Sequence, residues 1–236
     1  MQATEGFTIT AHFDESHAAK YDRRIRQFCP GYDALHDLAA AWCAALPPDT
    51  RFLSSGAGTG AEILALGRRF PSWNFVAVDV SADMIQACRD NTASTGMAGR
   101  VDFFTGRVQD YQASAPFDAA ASIFVAHFIK GRDEKLAYFK SIAANLQIGG
   151  MFILADLFGD KQSSSFAPLL DAWLRHYASH GVDADTLAKD RAHVERDIDY
   201  RPESELIALL AEAGFAPPVR FFQALLFGAW VTVRAV

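Results

Sequence analysis

Arg51-Phe52-Leu53-Ser54-Ser55-Gly56-Ala57-Gly58-Thr59-Gly60, followed fifteen residues on by Phe75-Val76-Ala77-Val78-Asp79, is the stretch that decides the fold. Its first apolar run, Phe52 to Ser55, reads as a strand. The strand enters a turn with glycine at alternate positions, Gly56, Gly58 and Gly60. Backbone without Cβ can approach a ligand there, and the N-terminus of the next helix directs free amides at an anion. That helix spans Gly60 to Phe70 and ends at Pro71-Ser72. Phe75 to Asp79 is then a strand apolar on both faces, as buried parallel strands are. It closes on Asp79, 21 residues after Gly58, where a carboxylate can accept both hydroxyls of a ribose. An ordinary βα turn and a helix-capping aspartate are the plain alternatives, but Ser81 is better placed as the cap. Turn and acid together indicate a nucleoside site.

Outward from this core the same rhythm continues. Ala82 to Ala93 is a helix with Asp83 in its first turn, and Val101 to Thr105 and Phe117 to Phe124 are strands. A helix from Asp133 to Leu146 stops at Gly149-Gly150, and Met151 to Leu157 is a fifth strand. Strands alternating with helices specify an α/β, Rossmann-like, doubly wound sheet with ligands beyond its carboxyl edge. After the helix Pro202 to Ala213, Val219 to Phe222 and Leu226 to Val233 read as a terminal antiparallel hairpin, completing seven mostly parallel strands.

Two segments lie outside this rhythm: N-terminal helices, broken at Cys29-Pro30-Gly31, and a helical lid insertion, Phe166 to Arg196. The expected organisation is a single domain over 1–236. It comprises a helical cap (1–50), the cofactor-binding core (51–160), the lid (161–201) and the closing helix and hairpin (202–236).

Composition narrows the function classes. Hydrophobic residues make up 50% and charged residues 21%, enough apolar content for a packed core. The net charge of -6 and the lack of basic stretches interleaved with aromatics disfavour nucleic acid. Cys29, Cys43 and Cys88 show no CxxC or metal-ligand spacing, and His176, His180 and His193 lack acids at ligand spacing, so no metal is expected. Met1 to Phe13 has no apolar targeting region, and no run approaches the roughly 20 residues of a membrane span. The expected setting is the cytoplasm.

The glycine turn alone also satisfies the dinucleotide fingerprint G-x-G-x-x-G/A. Against that reading, the chain has no Tyr-x-x-x-Lys pair and no second domain for a hydride acceptor. The run Val80-Ser81-Ala82-Asp83-Met84 and the hairpin after Gly214-Phe215 complete the pattern of another class. From Arg51 to Val236 the sequence resembles the class I S-adenosylmethionine (SAM)-dependent methyltransferases. Within them it is similar to the branch containing carboxy-SAM synthase, which makes carboxy-SAM from SAM and prephenate. Cys29-Pro30-Gly31-Tyr32, Ser81 to Ile85 with Cys88-Arg89, Leu146 to Gly150, Ala213-Gly214-Phe215 and Phe221-Phe222-Gln223 carry this narrower likeness.

The resemblance implies SAM as cofactor and S-adenosylhomocysteine (SAH) as product. Gly56, Ala57, Gly58, Gly60, Asp79, Val80, Met84, Arg107, Val108 and Ile123 are its expected binding residues. It also implies a small-molecule acceptor and a homodimer, and aligns Arg191 with an arginine that grips the extra carboxylate of carboxy-SAM. Three positions depart from the pattern. Ser54 stands where an acid usually ends the first strand, Arg107 where an acid often follows the third, and Ile123 where the synthase has asparagine. These departures, with a glycine turn of ordinary methyltransferase form, favour plain in-line methyl transfer. A synthase-like activity and a catalytically silent SAM-binding protein are the alternatives.

His127, just past the fourth strand, is the candidate general base, since imidazole titrates near neutrality. A histidine packed under the lid is its alternative. Tyr21 and Tyr32, with Arg24, are candidates to cover the cofactor and substrate. Arg191 could bind a substrate carboxylate or pair with Glu195 one turn on. Trp173 and Tyr177 share a helical face and read as core.

Overall fold

The computed structural model describes residues 15–236, with side chains from Asp22 onward; the reading of Met1 to Phe13 lies outside them. Helices α1 (Glu15–Phe28) and α2 (Tyr32–Cys43) precede the core. There follow β1 (Arg51–Ser55), α3 (Ala61–Arg69), β2 (Asn74–Asp79), α4 (Ala82–Ser94), β3 (Val101–Thr105), β4 (Phe117–Ile123) and α5 (Arg132–Asn145). Then come β5 (Leu146–Leu157), α6 (Phe166–Ala178), α7 (Ala184–Arg196), α8 (Glu203–Glu212), β6 (Val219–Ala224) and β7 (Phe227–Val233). The sheet runs β3-β2-β1-β4-β5-β7-β6. Strands β1 to β5 pair in parallel, and β7 runs antiparallel to both β5 and β6.

Alternation along the strands explains why both faces are covered. Val76, Val78, Phe152 and Leu154 point to one side, against Leu136, Phe139 and Ile142 of α5 and Leu206, Leu209 and Leu210 of α8. Phe52, Phe75, Ala77 and Ile153 point to the other, against Ala39 and Cys43 of α2, Ile63 and Leu66 of α3, and Ile85 and Cys88 of α4. Ser81 caps α4, its hydroxyl accepting from the Met84 amide at 3.3 Å.

The fifth strand departs from the sequence reading. It begins at Leu146, directly after α5, instead of after the glycines. Its register against β4 shifts between Phe117 and Ala119, and the intervening Gly149 (φ +80°) and Gly150 bond to Arg234 past the end of β7. The glycine pair forms a bulge within the strand, where Gly149 takes the positive φ that such a kink needs.

A third apolar cluster beyond the carboxyl edge joins the cap to the sheet. Trp173 of α6 is fully buried, with its indole N–H donating to the Phe28 carbonyl at 2.6 Å. Its ring lies edge-on to Phe28 at 4.6 Å and to Phe227 at 4.8 Å. Trp173 is core, as its spacing indicates. Among the described residues no helix is long and apolar enough to cross a membrane.

Under the glycine turn, the buried Tyr138 hydroxyl bridges Ser55 Oγ at 2.9 Å and Ser122 Oγ at 2.8 Å, tying β1, β4 and α5 together. Replacing Tyr138 with Phe leaves two buried serine hydroxyls short of a partner. Urea unfolding should show a loss of about 1–3 kcal/mol; unchanged stability would mean the serines find other partners.

Candidate active site

The carboxyl ends of β1 to β4 and the helices α1 and α7 enclose a cavity of about 1440 Å³. Gly56 and Gly58, Asp79, Val80 and Met84, Arg107 and Val108, and Ile123 and His127 all line it.

The three turn glycines have separate reasons to be glycine. All take positive φ: +77° at Gly56, +52° at Gly58 and +86° at Gly60. A Cβ at Gly56 would lie 2.2 Å from Val125 Cγ2, and one at Gly60 would lie 2.6 Å from Cys88 Sγ. Those two positions are closed by protein. A Cβ at Gly58 meets no protein atom within 4 Å, and Gly58 faces the cavity, so the space beside it is left for a ligand. Ala57 and Gly60 lie outside the cavity lining; Ala57 is buried, and Gly60 packs against α4.

The turn amides are less free than the sequence suggests. Gly56 and Ala57 N–H donate to the Val78 carbonyl at 2.7 and 3.0 Å, and Gly60 N–H to Ala57 at 2.8 Å. Gly58 N–H donates to Asp79 Oδ2 at 2.9 Å, and Asp79 Oδ1 accepts from Ser81 N–H at 2.9 Å. Asp79 thus holds the turn to the start of α4. Burial pushes its carboxyl above the ordinary value, against the pull of the Ser81, Gly58 and Val80 amides. Ribose hydroxyls donating here would replace the lost hydration.

Behind the turn, Ser54 donates a short hydrogen bond to Oε1 of Glu62, which comes from the first turn of α3. Neither side chain lines the cavity, so this carboxyl braces the turn from behind and does not replace the acid expected at the end of β1. Burial raises the Glu62 carboxyl to about 7, opposed by the Ser54 hydrogen bond.

His127 sits on a short 3-10 turn (Ala126–Phe128) after β4. Its Nδ1 lies 2.5 Å from Asp156 Oδ1, and its backbone N–H donates to the same oxygen at 3.0 Å. Both side chains are buried. The Asp199 amide donates to the His127 carbonyl at 2.8 Å, fixing the turn from the other side. A carboxylate against Nδ1 holds the proton there and leaves the Nε2 lone pair for a ligand in the cavity. Just upstream, Phe124 takes φ +59°, a conformation that bulky residues rarely adopt, and its ring packs on Phe227 at 5.5 Å.

Other sequence candidates lie elsewhere. The Tyr21 side chain lies outside the described residues. Tyr32 is buried against His36 at 4.6 Å and does not line the cavity. Arg191 also stands outside it: its guanidinium pairs with Asp171 at 3.1 Å and with Glu195 at 3.0 Å. Arg24 does line it, and pairs with Asp190 of α7. Sequence reasoning missed Asp156, whose signal was an acid inside an apolar strand, and Glu62, two residues past Gly60.

A sheet in this order, with a glycine turn after β1 and an acid ending β2, defines the class I SAM-dependent methyltransferase fold. A methyltransferase-domain family model matches residues 52–150. Among curated proteins, the chain is 26% identical over 234 residues to a carboxy-S-adenosyl-L-methionine synthase of Shewanella sediminis, covering 94% of this chain and 92% of that one. A synthase of the same name from Pseudomonas fluorescens is also 26% identical, with the same coverage. Among solved structures, magnesium protoporphyrin IX methyltransferase from Synechocystis, with bound SAH, aligns with a TM-score of 0.66 at 14% identity, covering 96% and 98% of the two chains. An O-methyltransferase family protein from Burkholderia thailandensis aligns with a TM-score of 0.65 at 13% identity, over 94% of this chain and 60% of that one. Over residues 52–150 the chain thus matches a methyltransferase domain, whose cofactor is SAM, and it shares the fold of the solved methyltransferases.

Two expected outcomes follow. Asp79→Ala should weaken SAH binding by about 1–3 kcal/mol in calorimetry; an unchanged dissociation constant would place the ribose elsewhere. Glu62 is protonated in both states below pH 4.5, and between there and about 7 the folded state holds the extra proton. Its burial therefore favours folding least at high pH. Denaturation at pH 5 and pH 8 should show Glu62→Gln gaining on the native protein by roughly 2 kcal/mol as pH rises; equal differences at both values would mean Glu62 titrates normally.

Proposed function

We propose that the protein transfers a methyl group to a hydroxyl of a small-molecule acceptor, with His127 as general base and Asp156 as its positioning residue. The observation that carries this reading is the buried contact of His127 Nδ1 with Asp156 Oδ1, at the edge of the cavity that Gly58 and Asp79 share. Gly58, Asp79, Val80, Met84 and Val108 would hold the cofactor, since the open space at Gly58 and the polar Asp79 carboxylate suit a nucleoside. Bound there, SAM supplies an electrophilic methyl group and leaves as SAH. His127 takes the acceptor proton at Nε2 as the new oxygen–carbon bond forms. The Asp156 carboxylate then faces the imidazolium and stabilises it. The covering helices exclude water from the reacting atoms, and apolar groups such as Phe124, Val125 and Phe128 position the acceptor.

A synthase-like activity is the second reading, supported by the curated relatives. The arginine that the resemblance assigns to the carboxylate of carboxy-SAM, Arg191, pairs with Asp171 and Glu195 outside the cavity, which supports methyl transfer instead. The buried thiols of Cys29, Cys43 and Cys88 suit a reducing cytoplasm.

His127→Ala should lower kcat by about 10²–10⁴-fold while SAH still binds, and Asp156→Asn should lower it less and shift the pH profile. Undiminished kcat in His127→Ala would remove the base. Mass spectrometry of the nucleoside carried by the purified protein separates the two readings; carboxy-SAM in place of SAM or SAH would overturn methyl transfer.

A further inference from the structure

The charges lining the cavity pair off, with two exceptions beyond the ribose acid Asp79. Arg24 is paired with Asp190, Arg107 lies 3.7 Å from Glu134, and Arg196 lies 2.6 Å from Asp197. Arg23 of α1 and Lys189 of α7 remain, and among the described residues neither has an ion-pair or hydrogen-bond partner. Each directly precedes one member of the Arg24–Asp190 pair, which joins α1 to α7. That contact joins the two helices that carry them, and both cations line the wall the helices share, the seam between α1 and α7. Two cations without a counter-charge on one cavity wall make it locally positive and attract an anion. This local excess occurs in a chain of net charge -6, so it does not reflect a generally basic surface.

The same cavity is walled by the rings of Phe28, Phe124, Phe128, Tyr177 and Phe227, beside His127. A base, an aromatic wall and a cationic seam make three demands on one ligand. We propose that Arg23 and Lys189 bind a carboxylate of the methyl acceptor, so that the enzyme selects hydroxylated aromatic acids. This inference rests on the methyl-transfer reading, with the hydroxyl at His127 and the acid group at the seam. A carboxylate is recognised here by two separate cations, one from each covering helix, so acceptor binding also draws α1 and α7 together.

The cofactor carries a carboxylate of its own, and α1 also reaches the glycine turn, where Thr59 Oγ1 donates to Asp22 Oδ1 at 2.6 Å. The experiment therefore has two arms. In the first, a panel of hydroxybenzoic and hydroxycinnamic acids, each beside its neutral methyl ester, is titrated by calorimetry into the SAH complex and assayed for SAH release with SAM. In the second, SAH itself is titrated into the native protein and into Arg23→Gln and Lys189→Gln. An acid is expected to bind at least tenfold more tightly than its ester, and each variant should cut that preference at least fivefold, through KM and not kcat. Variants that weaken SAH tenfold with the acid-to-ester ratio intact would assign the seam to the cofactor and overturn the proposal. No acid outbinding its ester would overturn it as well. Acid-selective binding without SAH release would support the carboxylate seam and count against methyl transfer, so the two readings fail separately. Circular dichroism of both variants confirms that they fold, as expected for exposed side chains.

Discussion

The Asp79 carboxylate is the contact on which the rest of the site depends. One oxygen accepts from Gly58 and the other from Ser81, so a single side chain fixes the turn after β1 to the entry of α4. The turn could not come so close to β2 with side chains at Gly56 or Gly60, because Val125 and Cys88 already occupy that space. The empty volume beside Gly58 is therefore a product of the protein's own packing. A carboxylate held by two amides is oriented and short of water, which suits it to receive hydroxyl groups.

Much of the fold was legible because parallel strands buried on both faces announce themselves as continuous apolar runs. Phe75 to Val78 and Ile153 to Ala155 are such runs, and the glycine turn places the first βα unit without ambiguity. The start of β5 was less legible, since Gly149-Gly150 reads as a break while the pairing with Arg234 makes it a bulge. That distinction depends on a residue more than 80 positions away.

The site was legible in its near-sequence contacts and opaque in its long-range ones. Asp79 and the glycines share one βα unit, and His127 follows a strand end. By contrast, Asp156 meets His127 across 29 residues, and Glu62 meets Ser54 from the next helix. Ser54 departs from the pattern by position, and in space its hydroxyl meets a buried carboxyl that lies behind the turn, outside the cavity. Arg191 was placed by its spacing alone, and spacing does not say which way a helix is rotated. On α7 it is Asp190 and Val194 that turn inward.

The covering helices also give the molecule an optical property. Trp173 is sealed between Phe28 and Phe227, and its indole N–H is bonded to the last residue of α1. An indole in such a dry, hydrogen-bonded setting emits at shorter wavelength than one in water, and lifting α1 would expose it. The seating of the first helix over the cavity is thereby written into the protein's own fluorescence, without any attached label.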